Sequence, residues 1–197
     1  NSWTVVKNFE DTEKWDKLVS WAPVQDPETN TVIYAGVKYG RFDYVIDNGF
    51  KRKTSFEGPG YHAFGYFSPM FERNGKALFC ARRDKNWCMI YDGIEYRFHD
   101  GIGNSSIVLP DDGRFLYAAM DEGTWSIYLA SSQGTEFPVL SGTYGIRDPV
   151  YEHPIYNHKN GRIAFTAAAS KDFRTVFAVY SKRKATDLNE ESIKDNI

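Results

Sequence analysis

The chain has 197 residues, 42% of them hydrophobic and 16% aromatic, with a formal net charge of -2. That length and apolar content suffice for a sizeable core and exclude a mostly disordered chain. So small a charge imbalance leaves no electrostatic footprint for nucleic acid or an anionic membrane, and no apolar run reaches the roughly 20 residues that a spanning helix needs.

The enrichment in Tyr, Phe and Trp, with Gly-containing turns at short intervals, favours strands over helices. Residues 2–9 (SWTVVKNF) read as one strand without a hairpin partner nearby, followed by a polar connection over residues 10–17. A first repeat then spans residues 18–57, with an apolar strand at 32–36, a tip at 38–41, a strand at 42–46 and a turn at Asp47-Asn48-Gly49. The second, residues 61–99, has Ser68-Pro69, a turn at Asn74-Gly75, the run 77–81, a polar tip, the run 87–91 and a turn at Asp92-Gly93. A third occupies residues 104–140 and a fourth residues 146–181, after which residues 182–197 form a charged tail.

Aligning the aromatic in the middle of each second strand brings Tyr34, Phe79, Tyr117 and Phe165 into register, 45, 38 and 48 residues apart. A period near 40–50 with four strands per repeat is the pattern of propeller blades. The second strands are apolar without alternation, as expected where both faces of a sheet are covered. The expected fold is therefore an all-β propeller of about four four-stranded antiparallel blades. The opening strand supplies the outermost strand that the fourth blade lacks and so hides an edge. A fragment of a larger ring, prone to self-association, and an all-β sandwich are the rival architectures.

Cys80 and Cys88 lie on the two arms of one predicted hairpin. A four-residue tip would set Cys80 opposite Met89 and not opposite Cys88, so two buried thiols without a bond between them are expected.

Ser68-Pro69, Asn74-Gly75-Lys76, Leu78-Phe79 and Asp92-Gly93 resemble the Pro-Asp type of repeat found in TolB-like bacterial propellers, as do Pro110-Asp111-Asp112-Gly113-Arg114 and Leu116-Tyr117-Ala118. The chain departs from that pattern in short insertions after Pro23, Pro69 and Pro154 and in its number of repeats. The resemblance implies a non-catalytic scaffold that binds protein or peptidoglycan-associated partners, with a lean towards an extracytoplasmic location. It transfers no catalytic residue.

Most conspicuous residues have ordinary explanations. Asn-Gly and Asp-Gly pairs are hairpin turns. Gly101-Ile102-Gly103 lacks the third glycine and the helix of a dinucleotide fingerprint. His153 and His158 have no partners at metal-ligand spacing, so neither metal nor other cofactor is expected. Arg147-Asp148-Pro149 is similar to a motif that carries an axial carboxylate in some five-bladed propeller glycosidases. With Asp26, Asp148 forms the alternative, enzymatic reading, since paired carboxylates cleave glycosidic bonds. The preferred reading is recognition of a protein, peptide or glycan by loops on a rigid scaffold. The candidate contacts are Tyr39, Arg41, Tyr61, His62, Arg82, Arg83, His99, Asp100, Tyr144, Arg147 and Asp148, an aromatic and arginine mixture typical of recognition surfaces.

Overall fold

The computed structural model describes residues 2–7, 10–50, 52–55, 61–65, 69–72, 74–109, 113–140, 155–157, 162–169 and 174–180. The chain divides into two compact units, Asn1–Phe98 and His99–Ile197. Among the described residues all regular structure is β, in several antiparallel sheets, with no helix and no closed barrel.

The N-terminal unit opens with a hairpin of β1 (Trp3–Lys7) and β2 (Glu10–Trp15). This corrects two expectations. The opening strand finds its partner next to it in sequence, and the stretch expected to be a polar connection is itself a strand. A second sheet follows: β3 (Lys17–Leu18) and β4 (Val24–Gln25) share one edge of β5 (Val32–Lys38), which pairs with β6 (Arg41–Asp47) and that in turn with β7 (Arg52–Thr54). The third sheet has the same outline. Here β8 (Ala63–Phe64) and β9 (Met70–Phe71) share an edge of β10 (Ala77–Arg83), followed by β11 (Asn86–Tyr91) and β12 (Ile94–Glu95).

The apolar runs follow from burial on both faces. From β5 and β6, Ile33, Ala35, Tyr44 and Ile46 pack with Phe79, Ala81, Cys88 and Ile90 of the next sheet. The alternate residues Tyr34 and Val45 point the other way and pack with Val5 and Trp15 of the opening hairpin. Tyr44 and Phe79 meet edge to face at 5.1 Å between centroids, and Trp15 meets Tyr34 likewise at 5.9 Å, geometries that add to the area they bury. Where β2 turns into β3 the backbones approach closely, and Gly36 is the residue that permits it: a Cβ there would run into the Lys17 carbonyl oxygen and come within 2.9 Å of Trp15 Cε3.

In the C-terminal unit, β13 (Gly101–Leu109), β14 (Arg114–Asp121), β15 (Thr124–Ala130) and β16 (Glu136–Leu140) form a four-stranded meander. β17 (Ile155–Asn157), β18 (Arg162–Ala169) and β19 (Arg174–Tyr180) form a sheet of three strands among the described residues. The outermost place in that sheet, foreseen for residues 2–9, is thus held by no described strand, because Trp3–Lys7 belongs to the two-stranded β1–β2 sheet.

The register expected for the cysteines is the observed one. Cys80 stands opposite Met89, Cys88 opposite Ala81, and both thiols are buried with no disulfide between them.

Candidate functional site

In the N-terminal unit two hairpin tips lie along one end. The β5–β6 tip is Tyr39-Gly40, with φ of 52° and 77°, the doubly positive pair of a type I′ turn that matches strand twist. It leaves Tyr39 89% exposed. Lys38 Nζ stands 5.9 Å from the Tyr39 ring and equally far from the Trp15 ring. Beside the tip, the Arg41 guanidinium donates to buried Asp43, Nη2 to Oδ1 at 3.2 Å, and Ser55 Oγ donates to the same oxygen at 3.1 Å.

From Phe42 the ladder crosses to the next sheet. The Phe42 amide donates to the Tyr61 carbonyl at 3.1 Å, and the Tyr61 amide returns a bond of 2.9 Å. The His62 amide then donates to the Arg82 carbonyl at 2.7 Å. Arg82 and Arg83 lead into the β10–β11 tip at Asp84 and Lys85, so this tip lies beside the first. His62 Nε2 is 3.3 Å from Asp84 Oδ1, with both side chains exposed. The Arg82 guanidinium covers the Trp87 ring at 5.7 Å.

Arg83 behaves differently from its neighbour. Its guanidinium makes a forked contact with Glu95, while the Tyr61 and Phe98 rings lie 5.0 and 5.3 Å away. The Tyr61 hydroxyl donates to Glu95 as well. Burial, reinforced by that hydrogen bond, holds the Tyr61 phenol well above its ordinary range, so it stays a neutral donor. Burial acts to lower the Arg83 pKa, but the Glu95 hydrogen bond and charge outweigh it and raise the guanidinium above its usual value.

The C-terminal unit holds a second polar cluster around His99, whose side chain is fully buried. Nδ1 lies 2.9 Å from Asp121 Oδ2, and Nε2 lies 2.9 Å from the Tyr117 hydroxyl and 3.2 Å from Glu136 Oε1. Tyr117 donates to Glu136 at 2.5 Å and Tyr128 to Asp121 at 2.7 Å. Burial, then the charge and hydrogen bond of Glu136, raise the Tyr117 phenol far above its normal range. Each donor here meets an acceptor inside the cluster, as buried polar groups require. Such internal satisfaction suits a brace between β14, β15 and β16 better than a reacting centre. Among the described residues no group of His, Cys, Asp and Glu is arranged to hold a metal ion.

The sequence candidates therefore separate. Tyr39, Arg41, His62, Arg82 and Arg83 come together at one end of the N-terminal unit. Tyr61 is among them but buried, its ring part of the core. His99 is buried in its own unit, and Asp100 there accepts a 2.7 Å bond from the Glu122 amide, bracing the β14–β15 turn. Tyr144, Arg147 and Asp148 lie outside the described residues, as do His153 and His158. Asp26, the other carboxylate of the enzymatic reading, is buried and accepts bonds from the Glu28 amide and the Thr29 hydroxyl. It closes the turn before β5. Sequence reasoning missed Glu95 and Trp87 as partners of the arginines. Ladder register carries that signal, since Trp87 stands opposite Arg82.

No protein-family model matches the chain, and no curated protein or solved structure matches it.

Proposed function

We propose that the chain is a non-catalytic binding module of the β-propeller type, similar to TolB-like propellers, that recognises a protein, peptide or glycan through the end where its hairpin tips gather. The observation that carries this reading is the Tyr61–His62 connection. It is hydrogen-bonded to Phe42 on one side and to Arg82 on the other, and so aligns the exposed Tyr39 with Arg41, His62 and the Arg82–Trp87 pair. A rigid aromatic next to arginines on short, well-held turns loses little conformational freedom on binding and is the composition found at energetic centres of interfaces. The turn bonds of Asp26 weigh against the glycosidase reading, because its oxygens are already engaged within residues 26–29.

Arrays of glycans and of peptides, probed with the chain and with a Tyr39→Ala/Arg82→Ala variant, test the proposal. The expected result is a ligand whose signal falls at least about tenfold in the variant while the unfolding temperature is unchanged. Ligands bound equally by both proteins, or none bound at all, would overturn it.

A further inference from the structure

Two Asn-Gly turns of the N-terminal unit share one arrangement and differ in what surrounds it. Asn48-Gly49 joins β6 to β7, and Asn74-Gly75 precedes β10. In each, the asparagine side-chain oxygen accepts a bond from the backbone two residues on: Phe50 N to Asn48 Oδ1 and Lys76 N to Asn74 Oδ1, both at 3.1 Å. That bond folds the carboxamide back over the glycine and polarises its carbonyl. The glycine nitrogens differ. Gly49 N donates at 2.7 Å to Oδ1 of Asp47, a carboxylate, whereas Gly75 N donates at 2.8 Å to the main-chain carbonyl of Glu72, which is no base.

Space separates the turns further. Asn48, Gly49 and Phe50 are exposed, and nothing lies within 4 Å of the position a Cβ would take on Gly49. On Gly75 that position runs into the hydroxyls of Thr29 and Thr31, so this second turn is wedged against its neighbour.

We infer that Asn48 is a self-modifying site, at which Asp47, Gly49 and Phe50 promote its deamidation through a cyclic imide with water as the sole co-reactant. The Gly49 nitrogen bonds to Asn48 Cγ while its proton passes to the Asp47 carboxylate, a general base already hydrogen-bonded to it. Negative charge gathers on Asn48 Oδ1, where the Phe50 amide is aimed as an oxyanion donor. Asp47 then returns the proton to the carboxamide nitrogen, the bond from Cγ to that nitrogen breaks, and ammonia leaves. One water opens the imide at either carbonyl, giving aspartate or isoaspartate without any change of oxidation state. Lys7 Nζ, 2.6 Å from the same Asp47 oxygen, tempers the base.

Either product sets a second carboxylate beside Asp47 at the turn that Lys7 anchors. Isoaspartate also adds a carbon to the main chain just ahead of β7, where Arg52 pairs with Asp47. None of the residues proposed for recognition takes part, so this site and that reading stand or fall separately.

The test is to age the full chain in mildly alkaline buffer, digest it, and follow by mass spectrometry the conversion of amide to acid at Asn48 and Asn74. In the folded chain Asn48 should react at least about tenfold faster than Asn74, and in urea the two rates should converge. Asp47→Ser keeps an acceptor oxygen for Gly49 and removes the base, so it should slow Asn48 by at least about tenfold. Lys7→Gln should act in the opposite direction and speed the reaction, an effect that a purely structural role for the ion pair would not produce. Equal rates at the two sites in the folded chain, reaction at neither, or an Asn48 rate unmoved by Asp47→Ser or not raised by Lys7→Gln would each overturn the inference.

Discussion

Arg83 and Glu95 face each other across the third sheet as a matched fork, Nη2 to Oε1 at 2.7 Å and Nη1 to Oε2 at 3.1 Å. Both side chains are partly exposed, so solvent screens the pair, but forked geometry and the aromatic rings on either side favour a measurable coupling. A double-mutant cycle with Arg83→Lys and Glu95→Gln should give a coupling of about 1 kcal/mol that shrinks in high salt. Lysine keeps the charge and loses the fork, so a coupling near zero would assign the guanidinium a packing role alone.

Gly36→Ala should be among the most damaging single-methyl changes in the N-terminal unit. The added carbon collides with the Lys17 backbone, which cannot move without pulling β3 off β5, and with the Trp15 ring. A loss of about 2–4 kcal/mol is expected from overpacking against backbone. Gly40→Ala is the control: nothing lies within 4 Å of its Cβ position, and only the φ of 77° resists it. Its cost should stay near 1 kcal/mol. Chemical denaturation of the two variants ranks them directly.

Burial pushes the Cys80 thiol from an ordinary 9.0 up to about 12. Between those values the unfolded chain has released the proton that the folded chain keeps. Stability contributed at lower pH is therefore lost as pH rises through this window, by about 1.4 kcal/mol per pH unit for one such group. The buried phenols Tyr44, Tyr61, Tyr91 and Tyr117 are raised by burial as well and act in the same direction at higher pH. Unfolding midpoints should fall steadily above pH 9, and Cys80 should resist alkylation until the chain unfolds. Rapid labelling of native Cys80 at pH 8 would contradict its placement.

Removing the imidazole by His99→Leu should strip Asp121 and Glu136 of a shared hydrogen-bonding neighbour while leaving both carboxylates in place. The expected cost is about 1.5–3 kcal/mol, the range for hydrogen bonds lost to charged groups, since Tyr128 and Tyr117 still donate to the two carboxylates. A triple change that also replaces Asp121 and Glu136 with Asn and Gln should recover part of the loss. If His99→Leu alone were neutral, the bracing role would fail.

How far the chain could be read in advance depended on the position of each residue in its sheet. The inner hairpins announced themselves because strands covered on both faces need unbroken apolar runs, and a four-residue tip then set Cys80 against Met89 by counting alone. β2 was illegible for the opposite reason. Four of its six residues, Glu10-Asp11-Thr12-Glu13-Lys14-Trp15, are charged, because a strand on the outer side of a sheet keeps its side chains in water, and Trp15 was the single apolar cue. Tyr61 and His99 were read as rim residues because they sit between strands in sequence. In space Tyr61 joins the core and His99 its own buried cluster, a choice made by tertiary partners that no local pattern displays.

The strand β5 presents Ile33 to one layer and Tyr34 to the opposite one, so it works as a party wall. Heat that loosens either neighbour wets an aromatic on that wall and weakens its grip on the other side. The N-terminal unit consequently lacks a seam along which a single layer could peel away. Its melting should register in calorimetry as one sharp peak, with the opening hairpin lost in step with the sheets behind it.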